Sequence, residues 1–166
     1  MIFFNSCSEV QFFSYLLNYI GIKVLSISGD LKQINRETIY REFFNSEKGI
    51  LLCTDVAQRG LDFPEVDWII NFDLPLSVDE YLHRVGRTAR GPDSHGKSLL
   101  ILLPNETDLL ERIKEKNIFV KEYRKFGLLF IKNLYVILYE FDLLSSFKRF
   151  EYSQEYIFPC LSIKLS

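Results

Sequence analysis

The chain is almost without alanine. Only Ala57 and Ala89 occur among 166 residues, while Phe, Tyr, Ile, Leu, Asn and Lys are abundant. This is a drift of composition along the whole chain, and both alanines fall inside stretches that matter below. Cysteine is scarce too. Cys7, Cys53 and Cys160 stand at no metal-ligand spacing, and an odd count argues against a secreted disulfide framework and for a reducing, intracellular setting. Net positive charge is absent: the formal balance is −2, so no global basic field announces nucleic acid, and any such surface must be local. No apolar run approaches the length of a membrane span; LLFIKNLYVILY is broken by Lys132 and Asn133. The apolar MIFF start lacks a basic region before it and turns polar at once, which predicts no signal peptide.

What is present is one domain's length with 48 % hydrophobic residues, enough to bury a core. Residues 1–4 form a short apolar run that predicts a buried strand. Ser8 and Gln11 have the spacing of a capping box before the helix FFSYLLNYI, which Gly21 ends. KVLSI predicts the next strand, and a Gly29-Asp30 turn leads into the helix QINRETIYREFF. ILLC and DWIINF predict two further strands, the latter after Pro64. Ser77 and Glu80 have capping-box spacing before DEYLHRVG. KSLLILLP predicts a fifth strand, and Asn105 a cap for ETDLLERIKEKN. Strands alternate with helices to about residue 125. That order predicts an α/β fold with a mostly parallel sheet covered on both faces, and ligands outside the carboxyl ends of its strands. Residues 126–166 differ. Ten of these 41 residues are Phe or Tyr, no clean period organises them, and FIKNLYVILYEFDLL is the best helix candidate.

The stretch GPDSHGKS, Gly91 to Ser98, fits the P-loop pattern letter by letter. A P-loop, however, follows a strand and opens a helix, so that the helix N-terminus faces the phosphates. Here a helix precedes and a strand follows. The stretch predicts a plain connection, with Lys97 and Ser98 beginning a strand.

Three other stretches carry candidate chemistry. In GDLKQINR, Gln33 and Arg36 lie three apart on the first turn of a helix, whose unpaired amides suit a phosphate oxygen; the bland alternative is a surface helix with an exposed Arg. TDVAQRGLD follows a buried strand directly. The Thr54 hydroxyl and backbone amides near Gly60 could hold a phosphate, and Asp62 could accept hydrogen bonds from ribose hydroxyls; the alternative is a strand-to-helix turn capped by Asp55. In HRVGRTARG, if the helix continues to the end, His83, Arg87 and Arg90 share one face and Arg84 points elsewhere. Three such groups together repel unless something anionic sits among them; the alternative is a solvated helix end.

Taken in order and spacing, these stretches resemble the second RecA-like lobe of DEAD-box RNA helicases. MIFFNSC resembles the lobe's first motif and Gln33-x-x-Arg36 its Q-x-x-R element. TDVAQRGLD and HRVGRTAR resemble its two long motifs, with Gln58 standing where Ala or Ser is usual. The resemblance runs from Met1 to about Tyr123, and its wording is similar to the nucleolar branch that works on pre-ribosomal RNA. It implies a RecA-like three-layer α/β/α lobe over residues 1–125, with 126–166 a divergent tail. It implies that ATP and RNA bind across a cleft between two lobes, without RNA sequence specificity, through the sugar-phosphate backbone. Asp62 would then meet the ATP ribose. Arg87, as an arginine finger, and Arg90 would reach the γ-phosphate and carry the catalytic role. Gln33, Arg36, Thr54 and Gly60 would grip RNA, His83 would contact the other lobe, and Arg59 has no partner fixed by the motif. The P-loop, the D-E-A-D box and the Q motif belong to the first lobe, which would hold magnesium with the ATP. None of the three occurs here, so the chain alone is expected to be inactive. The alternative expectation is a non-catalytic RNA- or protein-binding module derived from such a lobe.

Overall fold

The protein is represented by a computed structural model that describes residues 1–58, 61–90, 95–103, 106–123 and 160–165. Five parallel strands build the sheet: β1 (Ile2–Phe3), β2 (Leu25–Ile27), β3 (Leu51–Cys53), β4 (Trp68–Asn71) and β5 (Gly96–Ile101). Helices α1 (Cys7–Tyr19), α2 (Gln33–Phe44), α3 (Val78–Val85) and α4 (Thr107–Glu115) alternate with them. Two more strands, β6 (Lys121–Tyr123) and β7 (Cys160–Leu165), extend the sheet antiparallel, giving the order β2-β3-β1-β4-β5-β7-β6. The helix candidate FIKNLYVILYEFDLL lies outside the described residues, as does Asn105.

The strands are short apolar runs because both faces are covered. Alternate residues of one strand go to opposite cores. Leu51 and Cys53 pack with Phe3, Ile27 and Ile69 under Phe43 of α2. Leu52 packs with Phe4 and Phe72 under Val10, Phe13 and Leu16 of α1. Tyr81 and Val85 of α3 and Leu109 and Ile113 of α4 cover Leu100 and Leu102. Leu100 neighbours Asn71, which neighbours Phe3, so α3 and α4 lie on the α2 face. The three-layer α/β/α architecture expected from the alternation is therefore the one observed.

One cap differs from expectation. Ser6, not Ser8, is the N-cap of α1. Its Oγ accepts from Glu9 N at 3.2 Å, and Glu9 Oε2 accepts from Ser6 N at 3.2 Å. Both S-x-x-E and S-x-x-Q fit this sequence. The earlier pair wins because Cys7 is already helical, and because a carboxylate gains more than an amide from the positive end of the helix. Ser77 caps α3 as expected, but Glu80 turns its carboxylate to Leu76 N at 2.6 Å. Gly21, at φ +85°, supplies the left-handed residue just past α1.

Candidate functional site

The loops at the carboxyl ends of β1, β3 and β4 meet at one buried cation, Arg84, whose side chain has no exposed surface. Its Nε donates to Asp55 Oδ1 at 2.8 Å and its Nη2 to Asp55 Oδ2 at 2.5 Å, a bidentate pair. Nη2 also donates to Asn5 Oδ1 at 3.0 Å, and Nη1 to the Asp73 carbonyl at 3.1 Å. Glu80, one turn earlier on α3, lies 3.9 Å away, and the Phe3 ring lies below at 5.2 Å. Asp73 is itself fixed by Asn5, whose N–H donates to its carboxylate at 3.0 Å. β1 and β4 are adjacent but their connections leave in opposite directions, which makes this the switch point where such sheets usually take a ligand. A side chain of the protein fills it. The sequence expectation had Arg84 pointing elsewhere than the site and gave it no role.

The arginine-bearing stretch is not one helical face. α3 stops at Val85 with Gly86 as its C-cap, and Ala89 takes φ +52°. The chain is diverted because Thr88 is buried: its hydroxyl donates to the Val66 carbonyl, and its side chain lies against the backbone of Gly96. His83 stays on α3, exposed. Arg87 and Arg90 follow in the turn beyond it. Arg90 reaches Asp62 (Nη1 to Oδ1, 3.1 Å), the Phe63 carbonyl at 3.0 Å and the Gly86 carbonyl at 3.0 Å, while its N–H donates to Glu65. Asp62 is otherwise open to solvent at 89 % exposure, and its carbonyl accepts from the Tyr40 hydroxyl. Arg87 is half-buried, its carbonyl accepts from Val66 N at 3.1 Å, and its Nε is buried with no partner among the described residues. The structure thus brings Arg90 to Asp62 and holds Arg87 against Val66 in the same turn, beside the residues that lead into β4, rather than by helical spacing.

On the other flank, Gln33 opens α2, exposed, and donates to Glu37 at 3.1 Å. Arg36 folds back on the loop, its Nε donating to the Leu31 carbonyl at 3.1 Å. Thr54 is 6 % exposed, and its Oγ1 is buried without a partner among the described residues. Gly60 and Arg59 lie outside the described residues. Lys97 and Ser98 are in β5, as the reversed order of elements required. Lys97 rests its ammonium over the Trp68 ring at 5.0 Å, and Ser98 is buried.

Burial sets the titration of the groups beneath this edge. It pushes the Cys53 thiol up to about 12, and the Tyr81 phenol to about 12 against the opposing effect of the Ser98 hydroxyl. Glu80 is raised, first by desolvation and then by the neighbouring Asp55 carboxyl. Among the described residues no group of His, Cys, Asp or Glu side chains is arranged to hold a metal ion, and no helix is long and apolar enough to cross a membrane.

Comparison with known proteins gives a consistent picture. The model of the helicase conserved C-terminal domain matches residues 1–92. Over 123 residues, 74 % of the chain, the sequence is 52 % identical to the ATP-dependent RNA helicase HAS1 of Lodderomyces elongisporus, covering 22 % of that protein. It is 50 % identical to that of Saccharomyces cerevisiae, covering 24 %. The chain therefore spans about a fifth to a quarter of the length of the curated relatives it matches. Among solved structures, domain 2 of the DEAD-box helicase Mss116p bound to an RNA duplex superposes with a TM-score of 0.63 at 33 % identity, over 70 % of this chain and 47 % of that one. The Escherichia coli DEAD-box protein SrmB gives 0.61 at 31 % identity, over 69 % and 67 %.

Proposed function

Because the chain belongs to the DEAD-box RNA helicases, through their conserved C-terminal domain, we propose that it works as the second lobe of such an enzyme, coupling ATP hydrolysis to RNA binding and duplex separation. One observation carries the reading. Arg87, whose buried Nε has no partner among the described residues, and Arg90, tied to Asp62, follow α3 in one turn beside the residues that lead into β4. A guanidinium pair of this kind suits phosphate oxygens, and Asp62, almost fully exposed, has the remaining acceptor capacity to meet ribose hydroxyls. ATP is the substrate. Its magnesium would be held by the first lobe, since the groups offered to the phosphates here, Arg87 and Arg90, are cationic. Phosphoryl transfer depends on positioning and on charge stabilisation, so Arg87 and Arg90 act when a partner lobe brings the γ-phosphate against them. His83, exposed on α3, would face that lobe.

Gln33, Arg36 and Thr54, on the other flank, form the proposed RNA grip, to which the resemblance adds Gly60. Contacts to sugar and phosphate carry no base identity. Binding of this chain to short blunt RNA duplexes, measured by fluorescence anisotropy, should therefore be independent of sequence and weaken steeply with salt. A preference of more than about tenfold for one sequence, the scale of one good base contact, would refute the grip. The branch wording GILLCTDVAQRGLDFPEVDWIINFDLP supports a role in ribosome biogenesis in the nucleolus, which a fluorescent fusion co-imaged with a nucleolar marker tests.

The rival reading is a non-catalytic RNA- or protein-binding module derived from such a lobe. The two separate once the chain is joined to a first lobe: the module reading leaves ATP turnover indifferent to Arg87→Ala.

A further inference from the structure

Among the described residues Arg84 is the largest fully buried side chain, and none of the assigned roles uses it. Its contacts are not those of a buried cation with a single counter-ion. The Asp55 carboxylate, gripped through both oxygens, belongs to the residue after Thr54, which is on the proposed RNA flank. The Arg84 carbonyl accepts from Arg87 N at 3.2 Å, and Arg87 is on the proposed ATP flank. Asn5 Oδ1 and the Asp73 carbonyl pin the same guanidinium to the ends of β1 and β4. The α3 end is held at two places: at Val66, which accepts from the Thr88 hydroxyl and donates to the Arg87 carbonyl, and at the Arg84 guanidinium, on which the ends of β1, β3 and β4 converge. A planar fork with fixed donor directions cannot follow Asp55 without carrying α3 with it.

We propose that Arg84 is a positioning residue that makes the RNA flank and the ATP flank of this lobe one mechanical unit, so that a displacement of Thr54 and Asp55 on RNA binding is passed through its guanidinium to Arg87 and Arg90. The inference rests on the proposed function for the identity of the two flanks. The coupling route is short and contiguous: Thr54, the Asp55 carboxylate, Arg84, then the turn that bears Arg87. A coupling claim needs coupling data rather than adjacency, so the test reads both ends at once.

The full 166-residue chain, labelled with nitrogen-15, is titrated with a short blunt RNA duplex. The amide resonances of Thr54, Asp55, Arg87 and Arg90 are followed together with the Arg84 Nε–H resonance. In the wild type all five should move with one binding isotherm. In Arg84→Lys, which keeps the charge but not the fork, RNA should still bind within about tenfold of wild type, a coupling-sized change, and Thr54 should still respond. The Arg87 and Arg90 responses should be lost. Asp55→Asn, which keeps shape and weakens the pair, serves if Arg84→Lys does not fold, and should show the same separation. A purely structural role would lower the melting temperature of either variant and leave the responses of the two flanks proportional.

The proposal is overturned if the Arg84 Nε–H resonance stays still while Arg87 moves, if Arg87 is silent in a wild type that binds RNA, or if a folded variant keeps the wild-type pattern. The first two outcomes need no variant. A wild-type chain that binds no RNA duplex at all overturns the function reading instead, and this inference with it.

Discussion

Gly96 is where the P-loop resemblance and the structure make opposite demands. A Cβ built at Gly96 would sit 2.8 Å from both Cβ and Cγ2 of Thr88, and closer still to its hydroxyl. Thr88 cannot give way. It is 2 % exposed, β-branched and therefore stiff, and its hydroxyl is committed to the Val66 carbonyl. Gly96→Ala must push the β5 backbone off Thr88 or break that hydrogen bond. Overpacking of this kind costs about 1–3 kcal/mol, and the lost hydrogen bond about 1 kcal/mol more. The cost of about 1–4 kcal/mol corresponds to a fall of roughly 2–15 °C in melting temperature for a chain of this length. Thermal melts followed by far-UV circular dichroism measure it. Thr88→Ala removes two of the three clashing atoms, so Gly96→Ala should cost less on that background, a coupling of about 0.5–3 kcal/mol. If Gly96 instead belonged to a phosphate cradle, Ala there would spare the melting temperature. A Gly96→Ala protein melting within about 1 °C of wild type, or a cost undiminished by Thr88→Ala, would refute the argument.

Joined to a first lobe, Arg87→Ala should lower ATP turnover by about 10³–10⁵, the worth of an arginine finger, while exposed Lys97→Ala leaves it nearly unchanged; a phosphate-release assay at saturating ATP and RNA compares the two. The 166-residue chain alone should show no ATP turnover above an Arg87→Ala control, and family-like rates from purified protein would contradict the two-lobe reading. Cys53 and Tyr81 both titrate higher folded than unfolded, so they stay protonated in the native state while the unfolded chain ionises. Their contribution is complete below about pH 9 and is lost as pH rises towards 12. Melting temperatures should fall through that window, and Cys53→Ala should flatten the lower part of the slope. Truncation after Tyr123 should leave a cooperatively melting lobe, because the five parallel strands bury their own cores; a broad, non-cooperative melt would show that β7 is needed beside β5.

Local signals in the sequence were read well where the physics is local. QINRETIYREFF matches α2 at both ends, and the runs ILLC and DWIINF fall on β3 and β4 to within a residue, because a strand buried on both faces has little else to encode. The reversed helix–strand order around Gly91–Ser98 was enough to place Lys97 in a strand. Arg84 was missed because its partners are remote: Asn5 lies 79 residues away and Asp55 29. The available signal was an acid in TDVA and an arginine in HRVG whose sequence-local acid, Glu80, is the more distant of its two carboxylates. Arg90 was assigned to a helical face because the pattern alone cannot show that Thr88 is buried and turns the chain. β7 was also missed, although Leu161, Ile163 and Leu165 alternate with Ser162 and Lys164 at the period of a strand. The aromatic-rich residues before it hide that alternation from a reading made over longer windows.

The buried guanidinium also limits how this sequence can change over time. Removing one partner of a buried charge pair costs about 3–5 kcal/mol, whereas replacing the whole group with well-packed apolar side chains can be neutral. A domain with a margin of about 5–15 kcal/mol can absorb one such loss and little else. Asn5, Asp55, Glu80 and Arg84 can therefore drift only in concert. In a chain of such skewed composition, with two alanines in 166 residues, stability alone is reason enough for Asp55 and Arg84 to change only together.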